Sequence, residues 1–368
     1  MAVGFPTKIT YANGDVFSAS DINDTNGTIN LLGASVAYTA GKNKLINGDF
    51  YINQRNFTSN TTTGAYNFDR WLQLNSGGSF TLTPQTFTAG TAPVAGYEGK
   101  NYLQAVVASQ SGTGDYAVVM QRIENARTFA GQTVAFSFWA KATSGTPKVA
   151  LEVSQSFGVS GSSATYTAMG AVTISTSWAR YTITGTVPSI SGKTVGTAND
   201  CLEIFLWCSG GSTFASRASS IGLQNNTFQF WGVQMENGST ATAFQTATGT
   251  IQGELAACQR YYYRTSPTGG SGYGYLSETG IATSTTKVRV SVRLPVTMRT
   301  GITSVDFSTI IVFDTVTTTA VTAVALLYET SNSGGIELTV ASGLTQYRPY
   351  TVNGNASTSA YLGFSAEL

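Results

Sequence analysis

Two-residue alternation of apolar side chains, interrupted again and again by Gly, Ser, Asn and Thr, constrains this chain more than any other feature. In TVAFSFWAKA (133–142), Val134, Phe136, Phe138 and Ala140 fall on one side. Ala135, Ser137, Trp139 and Lys141 fall on the other, because successive side chains of a strand point to opposite faces. YLQAVVAS (102–109), YAVVMQRI (116–123), KVALEVSQ (148–155), WARYTITGTV (178–187), CLEIFLWC (201–208) and FQFWGVQME (228–236) read as further strands. Charged residues make up only 11% of the chain, about half the usual share. Glycine (40), Tyr (18) and Phe (19) are plentiful, which suits short strands joined by tight turns. The 368 residues exceed what one all-β domain needs. The expectation is an all-β protein: two antiparallel, jelly-roll-like β-sandwich domains after a short N-terminal arm.

Residues 1–43 form the arm. Asn13-Gly14 signals a tight turn, and Ser18 or Ser20 caps a short helix with Asp21 in its first turn. Ile22, Ile29 and Val36 recur every seven residues with Leu32 between them, a short seam of the kind that favours three strands. An arm ordered only against another protein explains the segment equally well, and both readings make it an attachment or assembly element. Residues 44–250, which hold all five tryptophans, form the first sandwich, and 251–264 is a linker able to form a turn or two of helix. Residues 265–368 form the second. There TKVRVSVRLPV (286–296) alternates Val288, Val290, Val292 and Leu294 against Lys287, Arg289, Ser291 and Arg293.

Much chemistry is excluded. Histidine is absent, which removes His-based triads and most catalytic zinc sites. Cys201 and Cys208 share one expected strand, where seven steps span roughly 23 Å, too far to bond to each other. A net charge of +1 offers no field for nucleic acid, and no 18-residue apolar run suggests membrane insertion. No phosphate-binding or dinucleotide-binding glycine motif occurs. Glu152 and Glu203 would serve as a glycosidase pair only on neighbouring strands about 5 Å apart. No catalytic residue, cofactor or metal is expected.

The second faces of the tryptophan-rich strands carry the candidate site. Parity sets Trp139 and Lys141, Trp178 and Arg180, Glu152, and Glu203, Phe205 and Trp207 opposite the core sides of their strands. A solvated face avoids tryptophan and a buried face avoids charge. Flat aromatics beside charges suit a sugar, whose CH face stacks on a ring while its hydroxyls donate and accept. The alternative is a face covered by loops or a neighbouring subunit, with Arg180 paired to Glu152 or Glu203. Arg289, Arg293 and Arg299 form a rival, basic surface suited to lipopolysaccharide or teichoic acid, the alternative being a solvated edge or the inter-subunit surface of a trimer.

KLINGDFYINQR (44–55), FDRW (68–71), QRIENARTFAGQTVAFSFWAKA (121–142), SWARYTITGTVPSISGKTVGT (177–197), VQMENGSTATAFQ (233–245) and GELAACQRYYYR (253–264) together resemble tail-fibre proteins of tailed bacteriophages. YANGDVFSASDIN (11–23) resembles the segments by which such fibres dock on the virion. The resemblance implies a virion protein made in the host cytoplasm. It also implies a homotrimer, contacts with other virion proteins through residues 1–43, and distal domains that recognise host surface polysaccharide or lipopolysaccharide. A structural connector or decoration protein, or a glycan depolymerase, is the alternative. LINGDF ahead of a jelly-roll pattern also resembles carbohydrate-binding modules of families 4 and 9, in which two acids hold a structural calcium. Here Tyr51 follows Phe50, Trp231-Gly232 precedes Val233, and those acids are missing.

Overall fold

The computed structural model of the chain describes residues 41–268 and 272–368. The seam residues Ile22, Ile29, Leu32 and Val36 lie outside them.

The alternating segments form two antiparallel five-stranded sheets. The first runs β1 (Leu72–Ser76), β4 (Tyr116–Glu124), β9 (Cys201–Gly210), β6 (Lys148–Ser156) and β7 (Thr165–Thr173). The second runs β2 (Ser79–Thr86), β3 (Asn101–Ala108), β10 (Asn226–Asn237), β5 (Thr133–Ala142) and β8 (Ala179–Thr186). Their facing sides make one core. Val134, Phe136, Phe138 and Ala140 of β5 share it with Leu202, Ile204, Leu206 and Cys208 of β9 and with Val149, Leu151 and Val153 of β6. Ile183 and Val187 join them, and Tyr181 packs at the margin. Truncating one of these buried phenylalanines to Ala would cost about 3–5 kcal/mol. This sandwich positions everything that follows.

Residues 251–264 are ordered structure. Thr250 caps helix α1 (Ile251–Gln259), its hydroxyl accepting from the Gly253 amide at 3.1 Å. Strand β11 (Tyr262–Thr265) follows, pairs with β19 (Tyr361–Ser365) and shares a three-stranded sheet with β14 (Ser304–Ser308). The remaining strands are β12 (Gly280–Ala282), β13 (Lys287–Arg293), β15 (Ile310–Phe313), β16 (Thr318–Glu329), β17 (Ser333–Val340) and β18 (Pro349–Gly354). They close into a barrel in the order β12-β13-β17-β16-β15-β18, which leaves no open edge among them. Val288, Val290 and Val292 fill its interior with Ile336, Leu338 and Val352.

The sandwich and the C-terminal unit meet through polar contacts. Gln54 Nε2 donates to the Tyr262 carbonyl at 2.8 Å. Arg260 grips Glu124 through Nε and Nη2 at 2.7 and 2.8 Å. Glu367 receives both Arg55 and the buried Arg70, and the Arg70 guanidinium lies 3.3 Å from the Tyr261 ring centroid.

Candidate ligand-binding face

The eight expected glycan-binding residues do not share a face. Strand parity says which side of a strand a residue occupies, but not which sheet the strand joins. β5 and β8 pair with each other in the second sheet, so Trp139, Lys141, Trp178 and Arg180 gather on its outer side. β6 and β9 pair in the first sheet, so Glu152, Glu203, Phe205 and Trp207 lie across the core from them, on the opposite outer side.

That first-sheet group is covered by its own chain. Phe205 and Trp207 pack with Ala218, Ile221 and Phe214 from the segment after β9. Glu152 is fully buried, accepting from Trp207 Nε1 at 3.1 Å and from Arg217 Nε and Nη2 at 2.6 and 3.0 Å. Burial raises its pKa, against the pull of Arg217 and Trp207. Glu203 sits beside its register partner Arg122, which donates to it at 3.0 Å. Glu152, Phe205 and Trp207 are thus packing residues, as in the covered-face alternative, but the pairing of Arg180 with Glu152 or Glu203 that went with that alternative does not occur.

The rival basic surface is also paired. Glu337 lies directly opposite Arg289 on β17, accepts from it at 3.1 Å and takes Lys287 as well. Arg293 reaches Glu278 at 3.3 Å. Arg299 is drawn into the junction between the units, donating to the Ala366 and Glu367 carbonyls and to Asn199.

The second sheet's outer side is different. Its register lines up Thr83, Gln104, Gln229 and Lys141 from four neighbouring strands. Gln229 Nε2 donates to Gln104 Oε1 at 2.8 Å. Gln229 is only 7% exposed, yet its Oε1 has no hydrogen-bond partner. A buried amide oxygen left without a donor costs about 1–3 kcal/mol. Lys141 closes the row, its Nζ 5.4 Å from the Trp178 ring centroid.

Aromatic rings wall one end of this row. Trp178 meets Tyr102 edge-to-face at 5.4 Å and Phe87 at 5.6 Å, although strands β10 and β5 separate Tyr102 from the β8 side of the sheet. The rings therefore lie over the face and meet across it. Beneath them Trp231 is fully buried and packs against Phe87, Tyr97 and Phe244. Trp139, paired in register with Trp231, is half-buried beside that cluster. A bulge after Trp231 makes this fit. Gly232 adopts φ +63°, and a Cβ there would come within 2.9 Å of the Trp139 ring. Arg180 turns away, donating to Ser137 Oγ at 2.9 Å and to the Thr242 carbonyl. Burial lowers its pKa, with Glu236 opposing.

Of the expected residues, Lys141 and Trp178 border the row, Trp139 supports its wall, and Arg180 braces the loop behind. Tyr102, Gln104 and Gln229 were missed. The signal was present: in YLQAVVAS and FQFW the same parity sets Tyr102 and Gln104 opposite Leu103, and Gln229 opposite Phe228 and Phe230. No three Asp, Glu, His or Cys side chains gather as candidate metal ligands among the described residues.

No protein-family model and no curated protein matches the chain. Solved structures similar to it include a CBM4 carbohydrate-binding module, at 17% identity and a TM-score of 0.30, with 52% of this chain and 98% of that one covered. The CBM22-2 xylan-binding domain of Paenibacillus barcinonensis Xyn10C is similar at 14% identity and a TM-score of 0.31, covering 47% and 94%. The enzymatically active domain of tailspike protein 4 from bacteriophage CBA120 is similar at 14% identity and a TM-score of 0.31. There the match covers 53% of this chain and 21% of that one.

Proposed function

We propose that the chain binds glycan along the outer face of its second sheet. The observation that carries this reading is the amide row, with Gln229 Oε1 unpartnered beside Lys141 and the Trp178–Tyr102 wall. A turn of the Gln229 amide brings its buried Oε1 to a pyranose hydroxyl, other hydroxyls accept from Lys141 Nζ and the Gln104 amide, and the ring's CH face stacks on Trp178. Half-buried Thr81, Thr83 and Thr227 continue the face with further hydroxyls, which suits a chain of sugars better than a single terminal residue.

The biological setting is part of the same proposal. The fibre-like segments from KLINGDFYINQR to GELAACQRYYYR support a phage virion protein, homotrimeric, attached through residues 1–43 and contacting host envelope glycan. Binding without cleavage is proposed, since Glu152 is committed to Arg217 and Trp207, and Glu203 to Arg122.

A glycan array of bacterial polysaccharides, probed with the full chain and with Trp178→Ala, tests this. Retention by the wild type that the variant loses is expected. Equal retention by both would move binding off this face.

A further inference from the structure

A cavity of about 300 Å³ opens elsewhere on the sandwich, at the low end of small-molecule sites, which run roughly 300–1,000 Å³. Three segments far apart in sequence build it: Asp49–Ile52, Tyr97 ahead of β3, and the stretch from Phe244 into the start of α1. Tyr97 and Phe244 wall it, edge-on to each other at 5.3 Å, and their far sides back onto Trp231. The cavity shares no residue with the amide row.

Two carboxylates face it, in different circumstances. Glu254 already accepts three bonds, from the Asn47 amide at 2.8 Å, the Thr248 amide at 2.7 Å and the Thr248 hydroxyl at 3.0 Å. Asp49 is only 7% exposed and takes the Tyr97 hydroxyl at 2.9 Å, plus a long contact of 3.4 Å from the Tyr51 amide. An ionised carboxylate accepts about four hydrogen bonds, so Asp49 retains capacity on the cavity side. Tyr51 stands at the rim with more than a third of its surface exposed.

We infer that this cavity holds a single sugar residue, two adjacent hydroxyls donating to Asp49 while the CH face stacks on Tyr51. The alternatives fit poorly. An anion would meet two carboxylates, a wholly apolar ligand would strand Asp49, and a divalent cation would find no third carboxylate in the lining beside Asp49 and the engaged Glu254. A vicinal diol supplies two donors at the spacing of one carboxylate, and Thr246 and Thr250 add hydroxyls to the lining. The molecule would then hold glycan at two places: along a chain on the sheet face and at one residue in this cavity.

Saturation-transfer NMR on the full chain with D-glucose, D-galactose, D-mannose and N-acetyl-D-glucosamine tests the inference. Asp49→Asn keeps an acceptor for Tyr97 but removes the charge, and Tyr51→Ala changes a surface residue, so at least one variant folds. At least one sugar should bind the wild type and lose about tenfold or more in affinity in each folded variant, the scale of one charged hydrogen bond. Gln229→Ala, which cripples the sheet face, should leave this binding intact. No binding by any of the four sugars, or binding indifferent to both Asp49→Asn and Tyr51→Ala, overturns it.

Discussion

Gln229 and Gln104 lie side by side on β10 and β3, and the 2.8 Å bond between their amides leaves the Gln229 carbonyl oxygen buried and unpartnered. A protein selected only for stability would fill this position with an apolar side chain. Gln229→Met therefore separates the two demands. Denaturant unfolding should show stability unchanged or raised by up to ~1 kcal/mol, because an unsatisfied acceptor is removed. Glycan affinity should fall in the same variant.

Glu152 depends on Arg217. Arg217→Ala leaves a buried carboxylate with Trp207 as its remaining donor. Loss of a buried partner costs about 3–5 kcal/mol, and the 30% exposure of Arg217 lowers the expectation to roughly 2–3. The pH dependence has a definite sign. Burial raises the Glu152 pKa in the folded state, and removing Arg217 raises it further. Its favourable contribution is then present at acid pH and lost as pH rises through the folded-state value. Equilibrium unfolding at acidic and neutral pH should show the variant's deficit growing toward neutrality.

Asp69 titrates in the same sense. Burial pushes its carboxyl up to about 6 despite Arg55 and the bonds from Gln54. Relative to an unfolded value of 3.8, ionisation in the fold opposes stability as pH rises between about 4 and 6. Comparing Asp69→Asn with the wild type at pH 4 and pH 7 cancels the altered hydrogen bonding. The balance should move toward the variant by up to about 3 kcal/mol at the higher pH.

Glu367 fastens the two units. Glu367→Ala strands Arg70, which is 1% exposed and stacked on Tyr261. A loss of about 3–5 kcal/mol is expected. Calorimetry should show one unfolding transition for the wild type and separate ones for the sandwich and the barrel unit in Glu367→Ala.

The strands were legible because one face of each was committed to a core. KVRVSVR reads inward and outward residue by residue, and so does β5. Membership of a sheet was not legible, because β5–β8 and β6–β9 pairings are long-range and leave no local trace in either sequence. That is why Trp139 and Trp207, matched by parity, lie on opposite sides of the molecule. Cover was equally hidden: nothing in CLEIFLWC announces that Phe214, Ala218 and Ile221 will fold over it. Gln229 was readable by the same parity that found Trp139, but an amide among phenylalanines draws less notice than a tryptophan beside a lysine.

The most direct measurement is the dissociation constant of the full chain for the polysaccharide it retains best. Wild type, Gln229→Ala and Trp207→Phe would be compared side by side by calorimetry. Gln229→Ala should weaken binding by about tenfold or more, the scale of one stranded hydrogen bond in a site. Trp207→Phe, altered on the covered sheet, should bind as the wild type does. Equal binding by wild type and Gln229→Ala, or loss confined to Trp207→Phe, would contradict the assignment of glycan binding to the second sheet's outer face.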